Sequence, residues 1–159
     1  LIWDIFNGGT MAKISEEEKS ALLSQWQTCV EMANSISERR DNMNNLFVTL
    51  NLAIIAAISF MWDTKTIALL VAGVVLCVVW MLFIKNFREH NKAKFDVINQ
   101  MEKHLPAQPF IDEWEELKKS KKYIEGTKLE RCFPIAFCLL YIAIFAIIMI
   151  SAGQGGQAV

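Results

Sequence analysis

The sequence predicts an all-α integral membrane protein with three transmembrane helices, the first two extended beyond the bilayer as an antiparallel helical hairpin. Two observations carry this fold class. The 33 charged residues of the 159-residue chain avoid Asn42–Trp62, Thr66–Ile84 and Cys132–Val159 altogether. Apolar residues outside these stretches recur at heptad spacing, and the seams run without a break into the first two uncharged runs. The averages alone (53% hydrophobic, 21% charged, mean hydropathy +0.29) would suit a mildly apolar soluble protein. Position decides against that, because three such helices need cover on every face and too little polar chain remains to provide it. A net charge of −1 gives no support for nucleic-acid binding, which needs a basic surface.

Residues 1–14 read as a disordered or variable N-terminus, with no basic region followed by a long apolar stretch and so no cleavable signal peptide. Ser15-Glu16-Glu17-Glu18 has the form of a capping box, with Ser15 as N-cap and Glu18 reaching back. From there Leu22, Trp26, Cys29, Ala33, Ile36, Arg40, Met43 and Phe47 alternate in steps of four and three, with no Gly or Pro among them. This makes 15–45 a stalk helix that leads into the first span, 46–62, where only Thr49, Asn51 and Ser59 are polar. Asp63-Thr64-Lys65 then leaves room for no more than a tight turn, with Trp62 at its interfacial end. The second span, 66–84, has a single hydroxyl, Thr66. Its seam continues through Ile84, Phe87, Asn91, Lys94/Phe95, Ile98, Met101 and Leu105, and stops at Pro106. Spans of this length reach roughly 26–28 Å, close to the ~30 Å hydrocarbon core.

The segment 85–131 is read as helical and cytoplasmic. Within it Phe110, Ile111, Trp114 and Leu117 fall at helical spacing ahead of Lys118, Lys119, Lys121 and Lys122, so the piece from Phe110 to Glu130 reads as a short amphipathic helix. Packed on the stalk or laid along the inner leaflet, it would present those lysines to anionic lipid, although Asp112, Glu113, Glu115, Glu116 and Glu125 offset them. The third span is 132–150, and the uncharged 151–159 forms an exported tail. Arg39, Arg40, Lys85, Arg88, Lys128 and Arg131 flank the spans on one side, and Lys65 alone lies on the other. The positive-inside rule therefore sets the N-terminus in the cytoplasm and the C-terminus outside.

Chemistry-bearing motifs are missing. The sequence has no GxSxG, no HExxH, no Gly-rich phosphate loop, no CxxC and no His/Cys set at metal spacing. His90 and His104 read as solvated surface, and the abundant Glu and Asp as solvent-facing charges of the seam-bearing helices. Neither an enzymatic activity nor a cofactor is expected.

The run Cys29-Val-Glu-Met-Ala-Asn-Ser-Ile-Ser-Glu-Arg-Arg40, followed by a span opening after Asn44, resembles the RipA family of octameric bacterial membrane proteins. The likeness continues in Ala93-Lys-Phe-Asp-Val-Ile-Asn-Gln-Met-Glu102, in Leu105-Pro-Ala-Gln-Pro-Phe-Ile-Asp-Glu-Trp114, and in Thr127-Lys-Leu-Glu130 ahead of Pro134. It covers about residues 20–150, with Thr28 where the family commonly has an aromatic. The resemblance implies a ring-shaped homo-octamer in the bacterial inner membrane and transfers no site residues. More distantly, the layout is similar to small pore-forming transmembrane effectors of bacterial defence systems.

Two functions stay open on the residues. In a pore, copies of Asn51 would form a polar collar inside the ring, with Asn44 and Arg40 at its cytoplasmic mouth favouring anions, and Ile54, Ile55 and Ile58 narrowing it to a hydrophobic gate. Alternatively Asn51 hydrogen-bonds a neighbouring helix and fixes register, and the assembly is a non-conducting scaffold displaying its stalk to a cytoplasmic protein partner. Trp26 and Trp114 are then the candidate partner or lipid contacts, beside Lys118, Lys119, Lys121 and Lys122. An Arg in a heptad seam calls for an acidic neighbour, and Glu38, Asp41, Glu31 and Glu89 are the candidates for Arg40. Ala53, Ala56, Ala57, Ala68, Ala72 and Gly73 permit close helix contact and favour assembly.

Overall fold

The computed structural model describes residues 15–60, 65–120, 124 and 126–155. Four helices account for their regular structure: α1 (Glu16–Phe60), α2 (Lys65–Glu102), α3 (Pro109–Lys119) and α4 (Gly126–Gly155). No strand occurs among the described residues. Helices α1, α2 and α4 are each long and apolar enough to cross a membrane. Residues 1–14, residues 61–64 where the tight turn with Trp62 is expected, Lys121, Lys122 and the end of the tail lie outside the described residues.

The capping box at the start of α1 is reciprocal. The Ser15 N–H donates to Glu18 Oε2 at 2.9 Å, and the Glu18 N–H donates to Ser15 Oγ at 3.2 Å. The helix then runs for 45 residues, about 67 Å at helical rise. Its inward face carries Ala33, Ile36, Phe47, Asn51 and Ile58, and the buried face of α2 carries Leu70, Cys77, Trp80, Ile84, Ile98 and Met101. Contacts of Met32 with Lys94, Asn44 with Trp80 and Asn51 with Cys77 fix the two as an antiparallel pair over most of their length.

Helix α4 returns parallel to α1 and packs chiefly on α2. Phe133 and Phe137 meet Trp80, and Tyr141 lies against Gly73. The sequence reading of one amphipathic helix over Phe110–Glu130 is corrected. Helix α3 ends at Lys119, where the Ser120 N–H bonds the carbonyls of Glu116 and Leu117, and residues from Gly126 onward belong to α4. No breaker separates Gly126 from the third span, so the apolar helix extends back through Glu130. Pro134 sits inside α4, where it lacks the N–H that would bond the Glu130 carbonyl.

The membrane-level core has two adjoining layers. Phe47, Trp80 and Ile84 form one, with Met43, Val48, Leu76 and Phe137 around them. Ile58, Leu70, Cys77 and Tyr141 form the other, with Ile54, Ile144 and Ile148 among their neighbours. Bulky side chains remain outside, including Val71, Val75, Val78 and Leu82 on α2 and Leu139, Ile142, Ile147 and Ile150 on α4. In water this coat would be untenable; against lipid tails it costs nothing.

Candidate functional site

Three levels of polar and aromatic contact and a fourth, apolar one hold the three long helices in register. Nearest the stalk, Arg40 on α1 ion-pairs with Glu130 on α4, Nε to Oε1 at 3.2 Å, with both side chains mostly buried. Arg40 therefore finds its acidic partner on the third long helix, not among Glu38, Asp41, Glu31 or Glu89. The reason is the early start of α4, which brings Glu130 to the level of Arg40.

One turn further into the bundle, Trp80 Nε1 donates to Asn44 Oδ1 at 2.9 Å. The indole stacks on Phe47 with ring centroids 5.5 Å apart and a 9° interplanar angle, and Phe133 and Phe137 pack at 6.3 and 6.2 Å. A buried indole needs a partner for its N–H, and Asn44 supplies it while the rings fill the layer.

Asn51 lies at the third level, with 0% of its surface exposed. Its Nδ2 donates to the Phe47 carbonyl at 2.7 Å, back along its own helix. Its Oδ1 accepts from the Tyr141 hydroxyl of α4 at 2.9 Å and from the Cys77 thiol of α2 at 3.5 Å. The same hydroxyl lies 3.3 Å from the Asn51 carbonyl. One side chain thus joins all three spanning helices. Gly73 makes room for this: a Cβ there would come 2.4 Å from Cζ of the Tyr141 ring. The fourth level is apolar, Ile58 against Leu70, Ile144 and Ile148.

A second constellation closes the stalk end. Glu102, 0% exposed, accepts the backbone N–H groups of Phe110 at 3.3 Å and Ile111 at 3.2 Å, the first turn of α3. Gln108 gives that helix no side-chain cap, so a carboxylate from α2 takes the role at the positive end of the helix dipole. Phe110 wedges between Trp26 of α1 at 5.8 Å and Phe95 of α2 at 5.7 Å. Glu102 corrects the reading of every acidic residue on these helices as solvent-facing. The legible signal was an acid seven residues ahead of a helix opened by Pro109.

The remaining candidates lie outward. Trp114 is 42% exposed, with Lys118 Nζ 5.4 Å from its ring centroid, and Lys119 pairs with Glu116 at 2.8 Å. Trp26 is partly buried against Phe110 instead of displayed. Lys121 and Lys122 fall outside the described residues. The structure thus brings Arg40, Asn44 and Asn51 to successive levels of one junction and leaves Trp114, Lys118 and Lys119 apart from it at the stalk end. The sequence reading missed Tyr141, Trp80, Glu102 and Glu130, and it named Gly73 for close helix contact without its partner. Among the described residues no three His, Cys, Asp or Glu side chains converge as a metal site would require.

No curated protein matches the chain, and no solved structure does. A family profile matches residues 23–150, which take in the Arg40–Glu130 pair, the Asn51 junction and the Glu102 cap. The chain belongs to the octameric membrane protein family (8xMP).

Proposed function

We propose that the chain builds a homo-octameric, non-enzymatic scaffold in a bacterial cytoplasmic membrane, the narrower RipA likeness included. Its N-terminus and stalk lie in the cytoplasm and its C-terminus across the membrane, by the one-sided distribution of Lys and Arg. The stalk, with the exposed Trp114, Lys118 and Lys119 at its end, is the surface displayed to a cytoplasmic protein partner.

The observation that carries this reading is the state of Asn51. Its carboxamide is fully buried, and both its nitrogen and its oxygen hydrogen-bond inside one protomer. An amide so engaged acts as a lock between helices, and its burial keeps it from facing a water-filled axis. Arg40 is likewise held by Glu130, which removes its charge from a pore mouth.

The test is flux. Purified oligomer in liposomes should pass anions, cations and small dyes no faster than protein-free vesicles, and Asn51→Leu should leave that background unchanged. Saturable, ion-selective flux through the wild-type oligomer would replace the scaffold with a pore running between protomers. Mass photometry of the detergent-solubilised protein should give the octamer; a monomer would refute the assembly. A reporter on the C-terminus active only in the cytoplasm would reverse the topology.

A further inference from the structure

An octamer must cover part of each protomer with another copy, and the protomer's outer faces differ in size and charge. The outward face of α1 holds Glu31, Glu38, Thr49, Ala53 and Ala56, all exposed and within an arc of about 60° at helical spacing. Within the span this arc is small at Thr49, Ala53 and Ala56 and ends in the exposed Phe60. Thr49 turns its hydroxyl back to the Asn45 carbonyl at 2.9 Å, so this face makes no demand for water.

The other side of the protomer is a groove between α2 and α4, lined by Ile67, Val71, Val74, Ile142 and Phe145 over the Tyr141 ring. Below it on α2, helical spacing sets Lys85 under Ile67 and Lys92 under Val74, with Arg88 toward α4, Glu89 under Val71 and Asp96 between Lys85 and Glu89 in angle. Among the described residues none of Glu31, Glu38, Lys85 and Lys92 makes an ion pair within the chain.

Protomers of a closed ring sit at equal depth, so groups that meet across it must share a level. The Met32–Lys94 contact sets Glu38 opposite residue 88, with Lys85 and Lys92 roughly 4.5–6 Å above and below. The Asn51–Cys77 contact sets Ala56 opposite residue 72, next to Val71. In the stalk Glu31 and Glu38 come level with Lys85 and Lys92, and in the membrane small residues face a bulky-walled groove.

We propose that neighbouring copies meet head-to-tail, the outer face of α1 in one protomer seated in the α2/α4 groove of the next. Glu31 and Glu38 then lie against Lys85 and Lys92 of the adjoining copy. This rests on the oligomeric reading above, and it leaves α1's small face covered by protein, away from lipid and from any central channel. Small residues let the backbones approach closely, the usual basis of helix association where lipid removes the hydrophobic drive.

Disulfide cross-linking between two co-expressed full-length versions tests it, with Cys29, Cys77, Cys132 and Cys138 replaced by alanine. One version carries Ala56→Cys and the other Val71→Cys. A second pair carries Glu38→Cys and Lys85→Cys in the stalk. Each mixed pair should form covalent dimers on oxidation, and no version should cross-link by itself. Cross-linking of one version to itself would make the contact symmetric and overturn the proposal. So would absence of cross-links at either pair in material that mass photometry finds oligomeric, since lipid or α4 then covers α1. Monomeric material would overturn the oligomer itself, a separate failure.

Discussion

Replacing Asn51 by Leu and Tyr141 by Phe, singly and together, isolates the bond that ties α1 to α4. Tyr141→Phe deletes one hydroxyl that reaches Asn51 Oδ1 at 2.9 Å and the Asn51 carbonyl at 3.3 Å. Interhelical hydrogen bonds inside membranes are worth about 0.6–1.7 kcal/mol, and that range is the expected loss. Asn51→Leu costs more, about 2 kcal/mol, because it leaves the buried Tyr141 hydroxyl without its carboxamide and the Cys77 thiol without an acceptor. In the double variant the hydroxyl that lost its carboxamide partner is gone. Its total should therefore stay near that of Asn51→Leu alone, giving a coupling of about 1 kcal/mol. The measurement is reversible unfolding of the four proteins in mixed micelles, with helicity and oligomer mass checked for each. Additivity within about 0.3 kcal/mol would refute the lock, because residues that do not share a bond add.

Gly73→Ala puts a methyl into the Tyr141 ring, 2.4–2.8 Å from three of its carbons, and should cost about 1–3 kcal/mol in the same unfolding assay. Wild-type stability in this variant would mean that the ring does not rest on the α2 backbone. Glu102→Gln keeps the size and removes the charge that holds the start of α3. The Phe110 and Ile111 amides should exchange hydrogen roughly fivefold faster, about 1 kcal/mol of local stability, while α1 and α2 stay protected. Unchanged exchange would deny the carboxylate its capping role. Arg40→Leu strands Glu130, whose Oε2 already lacks a hydrogen-bond partner, and should destabilise by about 2–3 kcal/mol. Adding Glu130→Leu should recover most of that loss, and a double variant worse than either single one would show that the two charges do not form a working pair.

The spanning helices were legible because charge is excluded from hydrocarbon at a cost of several kcal/mol, and that exclusion is written into the sequence as three charge-free stretches. The buried positions of α1 were legible for a different reason. A heptad seam reports which side faces a partner, and Ala33, Ile36 and Phe47 fall on it. What stayed hidden was the identity of each partner across the chain. Asn51 and Tyr141 are 90 residues apart, and no local period links them. Glu130 sat in a segment read as detached from the third span, so its level beside Arg40 was out of view. Gly73 did carry a signal, a lone glycine in a valine-rich span, but a small residue fits close contact with any neighbour. Only the Tyr141 ring makes that contact specific.

These hidden partners do work that apolar packing cannot do in this chain. Lipid tails are as apolar as Val or Leu, so burying the valine face of α2 yields little that leaving it in the bilayer would not. Apolar contacts alone would let the three helices slide or rotate at small cost. Register must therefore come from groups that lose something when they shift, and the junction has one at each of three levels. Moving α4 by a turn would strand Glu130 and the Tyr141 hydroxyl, and rotating α2 would take Trp80 from Asn44 and Gly73 from beneath the ring. The same logic assigns the outer faces. With these internal polar groups spent on holding the protomer, assembly is left to shape and to the unpaired charges of the stalk. A helical unit built this way enters an oligomer as a rigid piece, which suits displaying a stalk better than opening a path through its own core.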